Sequence, residues 1–379
     1  MRRVYWRPKQ VSTNALLVIA AIAAAAIGVV EGFPEPTSEL YFQQMLEASE
    51  LADEALTVVR RERERRRIRV DPIADPAGSG LIGFPVTEVT TNTGNLLAKQ
   101  TAINPNWAAV TIQLLHEAGV EEGDTVAVGV SGSFPGLNVA VYAALTVMRA
   151  NAIIISSASA SQWGANHPDF LWPDMERALF EHKIFPFRSA AVSPGGAEDR
   201  AAGLSEDGLK VLKRRLKRTR LPIIEPESYA DSVVERMAIY RERAGDKPIR
   251  AYINVGGGTS SVGTRRSKFA YQPGVNRATP PKAALIDSVM ARFLDKGIPV
   301  IHFLQINRMA QRFGLPVSPQ VRPAVGTGKV FRQRQYNPEL TGVALAVVVA
   351  SLFLFIRSGR GRMALQSTHR REGRIEPTL

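Results

Sequence analysis

The chain has 379 residues, 48 Lys and Arg against 35 Asp and Glu, no cysteine, and a net charge of +13. Without cysteine there are no disulfides and no thiolate metal sites, so any folded body is held by its apolar core, which a chain of this length builds easily. Residues 1–12 carry +4 and residues 357–379 another +4, which leaves +5 for everything between; charge gathered at the chain ends reads as membrane topology and attraction for anionic lipid headgroups, and it argues against a nucleic-acid partner.

The basic segment 1–10 precedes the uncharged run VSTNALLVIAAIAAAAIGVV at 11–30, and the uncharged run LTGVALAVVVASLFLFI at 340–356 precedes the basic tail 357–379. Each approaches the roughly 17–25 residues that a helix needs to cross the hydrocarbon core, and both read as transmembrane helices. Lys and Arg beside a span stay on the cytoplasmic side. That predicts a two-pass cell-membrane protein with cytoplasmic termini and an extracytoplasmic middle. A cleaved signal peptide is the alternative for the first run, and a buried core helix is the alternative for the second.

Residues 31–95 predict an amphipathic helix followed by a linker. Leu40, Met45, Leu46, Leu51, Ala55, Val58 and Val59 recur at helical spacing behind Thr37 or Ser38 as N-cap. The run RRERERRRIR at 60–69 reads as a solvated helix face with Glu62 and Arg66 paired at i, i+4, or alternatively as a polyanion site. The Gly-, Pro- and Thr-rich stretch 71–95 reads as extended linker.

From 96 to 335 helices and strands alternate. NPNWAAVTIQLLHEAGV is a helix ending at Gly119, a residue suited to a left-handed cap. Strands are predicted at DTVAVGV, NAIIISS, SAAVS, LPIIEP, KPIRAYINVGG and IPVIHFL. Between them lie helices at LNVAVYAALTVMRA, WPDMERALFEHKI, SEDGLKVLKRRLKR, SYADSVVERMAIYRERAG and PKAALIDSVMARFLDKG. Such alternation implies right-handed crossovers and a doubly wound, mostly parallel α/β sheet covered on both faces.

Three Gly- and Ser-rich loops follow strands, and in an open parallel sheet ligands bind outside the carboxyl ends of strands. The first offers Ser131, Gly132, Ser133, Gly136 and Asn138; the second Ser157 and Ser159; the third Gly257, Gly258, Thr259, Ser260 and Ser261. Arg265, Arg266 and Lys268 come directly after the third. Together these predict an anion-binding crevice, with simple turn chemistry as the competing reading of each loop. No loop fits the phosphate-loop or the dinucleotide pattern, and a nucleotide is scarce outside the cell, so no cofactor is expected. His116, His182 and His302 lie in separate elements without ligand spacing, so no metal is expected either. Ser131 or Ser133 as nucleophile, His167 as base and Asp169 as orienter form a weaker catalytic constellation, although VGVSGSFPG is not the G-x-S-x-G elbow. Trp163 and Trp172 suit either the crevice mouth or ordinary packing.

VYWRPKQVS, GVSGSFPGLN, SSASASQWGANHPDFLWPDME and NVGGGTSSVG, in this order between two terminal spans, are similar to segments of the poly-γ-glutamate system protein family, and the resemblance runs over nearly the whole chain. It implies a bacterial membrane protein working beside the ligase and membrane subunits that make and export poly-γ-glutamate. The implied partners are those synthase membrane subunits, the acidic polymer and membrane lipids. The resemblance transfers no catalytic residue, so whether the chain is an enzyme stays open. The expected function is an accessory component whose α/β domain binds an anion or the polymer; the alternatives are an external serine hydrolase or transferase, or a scaffold that binds no polymer.

Overall fold

The computed structural model describes residues 13–33, 35–38, 41–335 and 338–357. The two basic ends, 1–10 and nearly all of 357–379, lie outside the described residues. The chain forms two units, one made of residues 1–37 and 332–379 and the other of Ser38–Phe331.

In the terminal unit, helix Thr13–Gly32 packs against helix Pro338–Arg357, and strands Glu35–Ser38 and Arg332–Gln335 pair beside them. The window Pro338–Phe355 has a mean hydropathy of 2.0 and none of it is buried. It is long and apolar enough to cross a membrane. Among the described residues the apolar stretch of the first helix is Leu17–Gly32, so that one candidate span, Pro338–Phe355, is found there.

The second unit opens with helix α1, Phe42–Arg65. It starts at Tyr41 rather than at the predicted cap, because Thr37 and Ser38 belong to the extended segment after Pro36. Glu62 pairs with Arg66 at 3.0 Å as expected. Arg63 departs from the solvated-face reading: its guanidinium is buried and donates to the carbonyls of Gly80 at 2.9 Å, Ile82 at 2.6 Å and Arg69 at 2.8 Å. The 71–95 stretch is therefore irregular, as its composition dictates, yet fastened to the body, with Leu81, Ile82 and Val89 buried.

Helices α2 (Leu96–Ala102) and α3 (Trp107–Glu117) follow, the latter closed by Gly119 at φ 82°. The central sheet has six strands: β1 Thr125–Ser131, β2 Asn151–Ser157, β3 Ala191–Ser193, β4 Ile249–Val255, β5 Gly274–Asn276 and β6 Val300–Phe303. Their order is β3-β2-β1-β4-β6-β5. All neighbours are parallel except β5, which runs antiparallel to β6. The remaining long helices are α4 Pro135–Val147, α5 Trp172–Glu181, α6 Glu206–Thr219 and α7 Tyr229–Ala244.

Side chains alternate between faces as the pleat requires. Val126, Val128, Val130, Ile154, Ala251 and Ile253 join one core cluster with α1, α3 and α4, whereas Ala127, Ile153, Ile155, Tyr252 and Val300 join another with α7. Helix α4 is apolar all round because the sheet covers one side and α1 the other, so that every residue from Pro135 to Leu145 is buried.

Two expectations fail locally. LPIIEP makes only an isolated bridge at Ile223 beside Val192, because Pro222 and Pro226 have no amide to give a ladder. The helix expected at 281–297 is reduced to Val289–Leu294 behind a Ser288 cap, with residues 281–285 in turns.

Candidate functional site

The chain winds from β1 outward through β2 and β3, then crosses to β4 on the other side of β1. The ends of β1 and β4 thus flank the point where the winding reverses, which is where open α/β sheets hold ligands. The first and third of the loops expected to carry the site leave from these ends, and the second leaves from the end of β2.

The three loops come together. Gly132 donates its amide to Ser157 O at 3.0 Å, Ser161 donates its amide to Ser133 Oγ at 3.1 Å, and Ala165 donates to Gly132 O at 2.7 Å. Gly256, at φ 98°, abuts Ser131 and Phe134: a methyl group there would lie 3.4 Å from Ser131 Cβ. Gly136 admits no side chain, because a Cβ would run into Ala102 O, and so the first turn of α4 is pressed against α2. Asn138 donates to Ser131 O at 2.9 Å, while its Oδ1 is buried without a partner.

Ser131, Ser157 and Ser193 are register partners at the last positions of three adjacent strands. They form a row of serines on strands about 4.8 Å apart. Ser157 and Ser193 touch at 3.1 Å. Beyond Ser193 lies a buried polar cluster. Arg236 donates to Asp199 Oδ2 at 2.7 and 3.0 Å and to Ser193 Oγ at 2.6 Å; Ser232 donates to Asp199 Oδ2 at 2.6 Å and meets Ser260 at 2.9 Å.

Lys99, from α2, meets the loop that follows β1. Its ammonium donates to Ser133 O and, at 2.9 Å, to Ser161 Oγ, and it lies 4.0 Å from the Phe134 ring centre. Lys99 is 4 % exposed, and among the described residues no carboxylate pairs with it. Burial first, and then the charge of Lys268, pull its pKa down to about 7. A side chain on Gly257 would run into Lys268 Nζ, which brings that second cation to the third loop. His302, buried at the end of β6, accepts from Asn254 Nδ2 at 2.9 Å. Burial, and then Lys268, depress its pKa to about 3, so it stays neutral. Lys99, Phe134, Gly136 and Trp163 also line a shallow depression of about water size.

Of the other expected residues, Ser159 is buried with its hydroxyl unpartnered, and Ser261 bonds Tyr252 at 3.0 Å. Gly258 and Thr259 open the short helix Thr259–Val262. Arg265 and Arg266 begin the helix Arg265–Lys268, and their side chains lie outside the described residues. His167 accepts at Nδ1 from the Asp169 amide at 3.1 Å, and Asp169 faces Arg215 at 3.6 Å. Ser131 Oγ accepts the Ser133 amide at 3.1 Å, and among the described residues no hydrogen bond joins His167 to either serine. Trp172 is core, edge-on to Tyr142 at 5.4 Å. Among the described residues no three His, Asp or Glu side chains gather as metal ligands.

Sequence reasoning missed Lys99, Ser193, Asp199, Ser232 and Arg236. A lysine inside the apolar helical stretch LLAKQTA was the one readable sign, since a lysine is rarely buried without a role. No protein-family model matches the chain, and no curated protein matches it.

Proposed function

We propose that the chain is a membrane-anchored accessory component of poly-γ-glutamate synthesis or export, and that the crevice at the switch point binds carboxylate groups of the polymer. The observation that carries this reading is Lys99, a buried ammonium with no carboxylate partner among the described residues, set beside Lys268 and behind the 131–134 and 256–258 loops. A bound carboxylate supplies the opposite charge that favours the protonated amine, and charge-assisted hydrogen bonds are the strong ones. The N-terminus of α4, thirteen residues long, adds a favourable dipole. Each contact with a polymer is weak, but contacts made by one chain act together.

The apolar helix Pro338–Phe355 supports membrane association. In this reading the first helix is a second span, both termini are cytoplasmic, and the α/β body faces outward toward the emerging polymer. The partners are the synthase membrane subunits and anionic lipid, with no nucleotide involved.

Calorimetric titration of the full chain in detergent micelles with oligo-γ-glutamate tests the binding. It should bind at low salt, bind more weakly at high salt, and lose most of its affinity in Lys99→Met with the circular-dichroism spectrum unchanged. Absence of binding at low salt removes the polymer from the account and leaves a scaffold.

A further inference from the structure

Arg236 stands at the Ser193 end of the serine row. Its guanidinium is 3 % exposed and surrounded by the hydroxyls of Ser157 (3.5 Å), Ser193 (2.6 Å) and Ser232 (3.3 Å to Nε). That is the equipment of a carboxylate receptor: a planar cation with a fork of donors, and hydroxyl donors around it. The carboxylate that fills it belongs to the chain itself, Asp199.

Asp199 arrives on an unusual loop. Between Pro194 and Leu204 the backbone is left-handed at Gly195, Gly196, Glu198, Asp199, Ala201 and Gly203, with φ of 76°, 72°, 54°, 59°, 53° and 99°. Three of these residues carry a side chain, and residues with side chains seldom adopt this conformation. Strain of this kind persists where surrounding contacts impose it, and it clusters at switches and ligand clamps. The Asp199 carboxylate, with four hydrogen-bond donations from three side chains, is such a contact. Beneath the loop, Gly195 sits so close to Ser157 and Ser159 that a side chain would collide with both. The Ser159 hydroxyl there is 2 % exposed and has no hydrogen-bond partner. A buried donor is thus left unused under the strained loop.

Building on the carboxylate-binding function proposed above, we propose that Arg236 with Ser157, Ser193 and Ser232 is a second carboxylate subsite, that Asp199 is its intramolecular stand-in, and that the ligand is a chain of repeated carboxylates. One carboxylate of that ligand sits at Lys99 and another displaces Asp199, and the row from Ser131 to Ser193 spans two strand spacings, about 10 Å. A single small carboxylate satisfies one end only. Displacement of Asp199 frees the 194–204 loop, so occupancy is coupled to opening of this rim.

The test uses the full chain in detergent micelles, titrated with tri-γ-glutamate and with free glutamate. Asp199→Asn keeps the shape and removes the competing charge. It should bind tri-γ-glutamate about fivefold tighter or more, within the usual range of coupling between sites, and bind free glutamate as the parent does. Arg236→Gln placed on top of Asp199→Asn should cancel the gain. In the parent chain, saturating tri-γ-glutamate should speed amide exchange in 194–204. Unchanged or weaker binding by folded Asp199→Asn overturns the proposal. If that variant does not fold, unchanged exchange of the 194–204 loop in the saturated parent chain overturns it instead. Oligomer binding that depends on Lys99 and ignores Asp199 sinks this inference alone. No oligomer binding to the parent chain sinks it together with the carboxylate-binding function.

Discussion

Lys99 makes the crevice sensitive to pH, and the sign follows from where the proton sits. Unfolded, a lysine titrates near 10.5; folded, burial and then Lys268 bring Lys99 to about 7. Between these values the unfolded chain binds a proton that the folded chain has released, so stability rises with pH across that window. Below pH 7 both states are protonated and the folded chain carries the whole cost of a buried ammonium, about 1.4 kcal/mol for every tenfold loss of proton affinity. A ligand anion reverses part of that cost, because it favours the protonated amine. Oligo-γ-glutamate affinity should therefore be highest near pH 6 and fall steadily as pH rises through 7 to 9, and the fall should vanish in Lys99→Met. A flat profile in the parent chain would show that the ligand does not meet this amine. At this scale the sequence was half legible. Ser131, Ser157 and Ser260 stand out because they follow β-branched strands. Lys99 does not, because nothing in LLAKQTA says what its helix packs against. Asp199 and Arg236 are 37 residues apart, and only the crossover that brings α7 beside β2 unites them.

At the scale of elements, the charge run 60–69 holds the clearest divergence between pattern and fold. Most of its cations are solvated, as a run of charges should be, and Arg60, Arg65 and Arg66 pair with Glu64 and Glu62. Arg63 faces the opposite way and ties down carbonyls on both sides of the 71–79 turn region. Charge-assisted bonds that leave a buried partner unsatisfied when cut are expensive to lose. Arg63→Met should destabilise the body by about 2–4 kcal/mol, given three such bonds, and proteolysis should then begin within 69–95. Equal melting of variant and parent would mean that packing alone holds the strap. The strands β1, β2 and β4 were readable because Val, Ile and Ala fill both faces of a covered parallel sheet. The edge strand β5 was not: Gly274–Asn276 has three residues and no apolar run, so its pairing with β6 is a property of the assembled sheet. Helix α4 was readable as a helix, but its all-round apolarity made sense only once α1 was found covering its outer side.

At the scale of the whole molecule the proposed function turns on which side of a membrane the α/β body faces. All three apolar clusters lie within Ser38–Phe331, so the body carries its own core and nothing in its packing demands one compartment. Orientation is instead written in the flanking charge: the basic residues lie at 2–9 and 357–374, outside both apolar runs, and such residues stay cytoplasmic. If both terminal helices span, as proposed, that rule places the body outside. The chain contains no cysteine, so a single introduced thiol reports without background. Leu285 is 99 % exposed, and Leu285→Cys replaces a side chain that packs on nothing. In intact cells a membrane-impermeant maleimide should label this variant as fully as it does after permeabilisation. A thiol at 360, beyond Pro338–Arg357, should label only after permeabilisation. If Leu285→Cys is protected in intact cells, the body faces the cytoplasm, the crevice cannot meet polymer that has crossed the membrane, and the export role falls even if carboxylates bind.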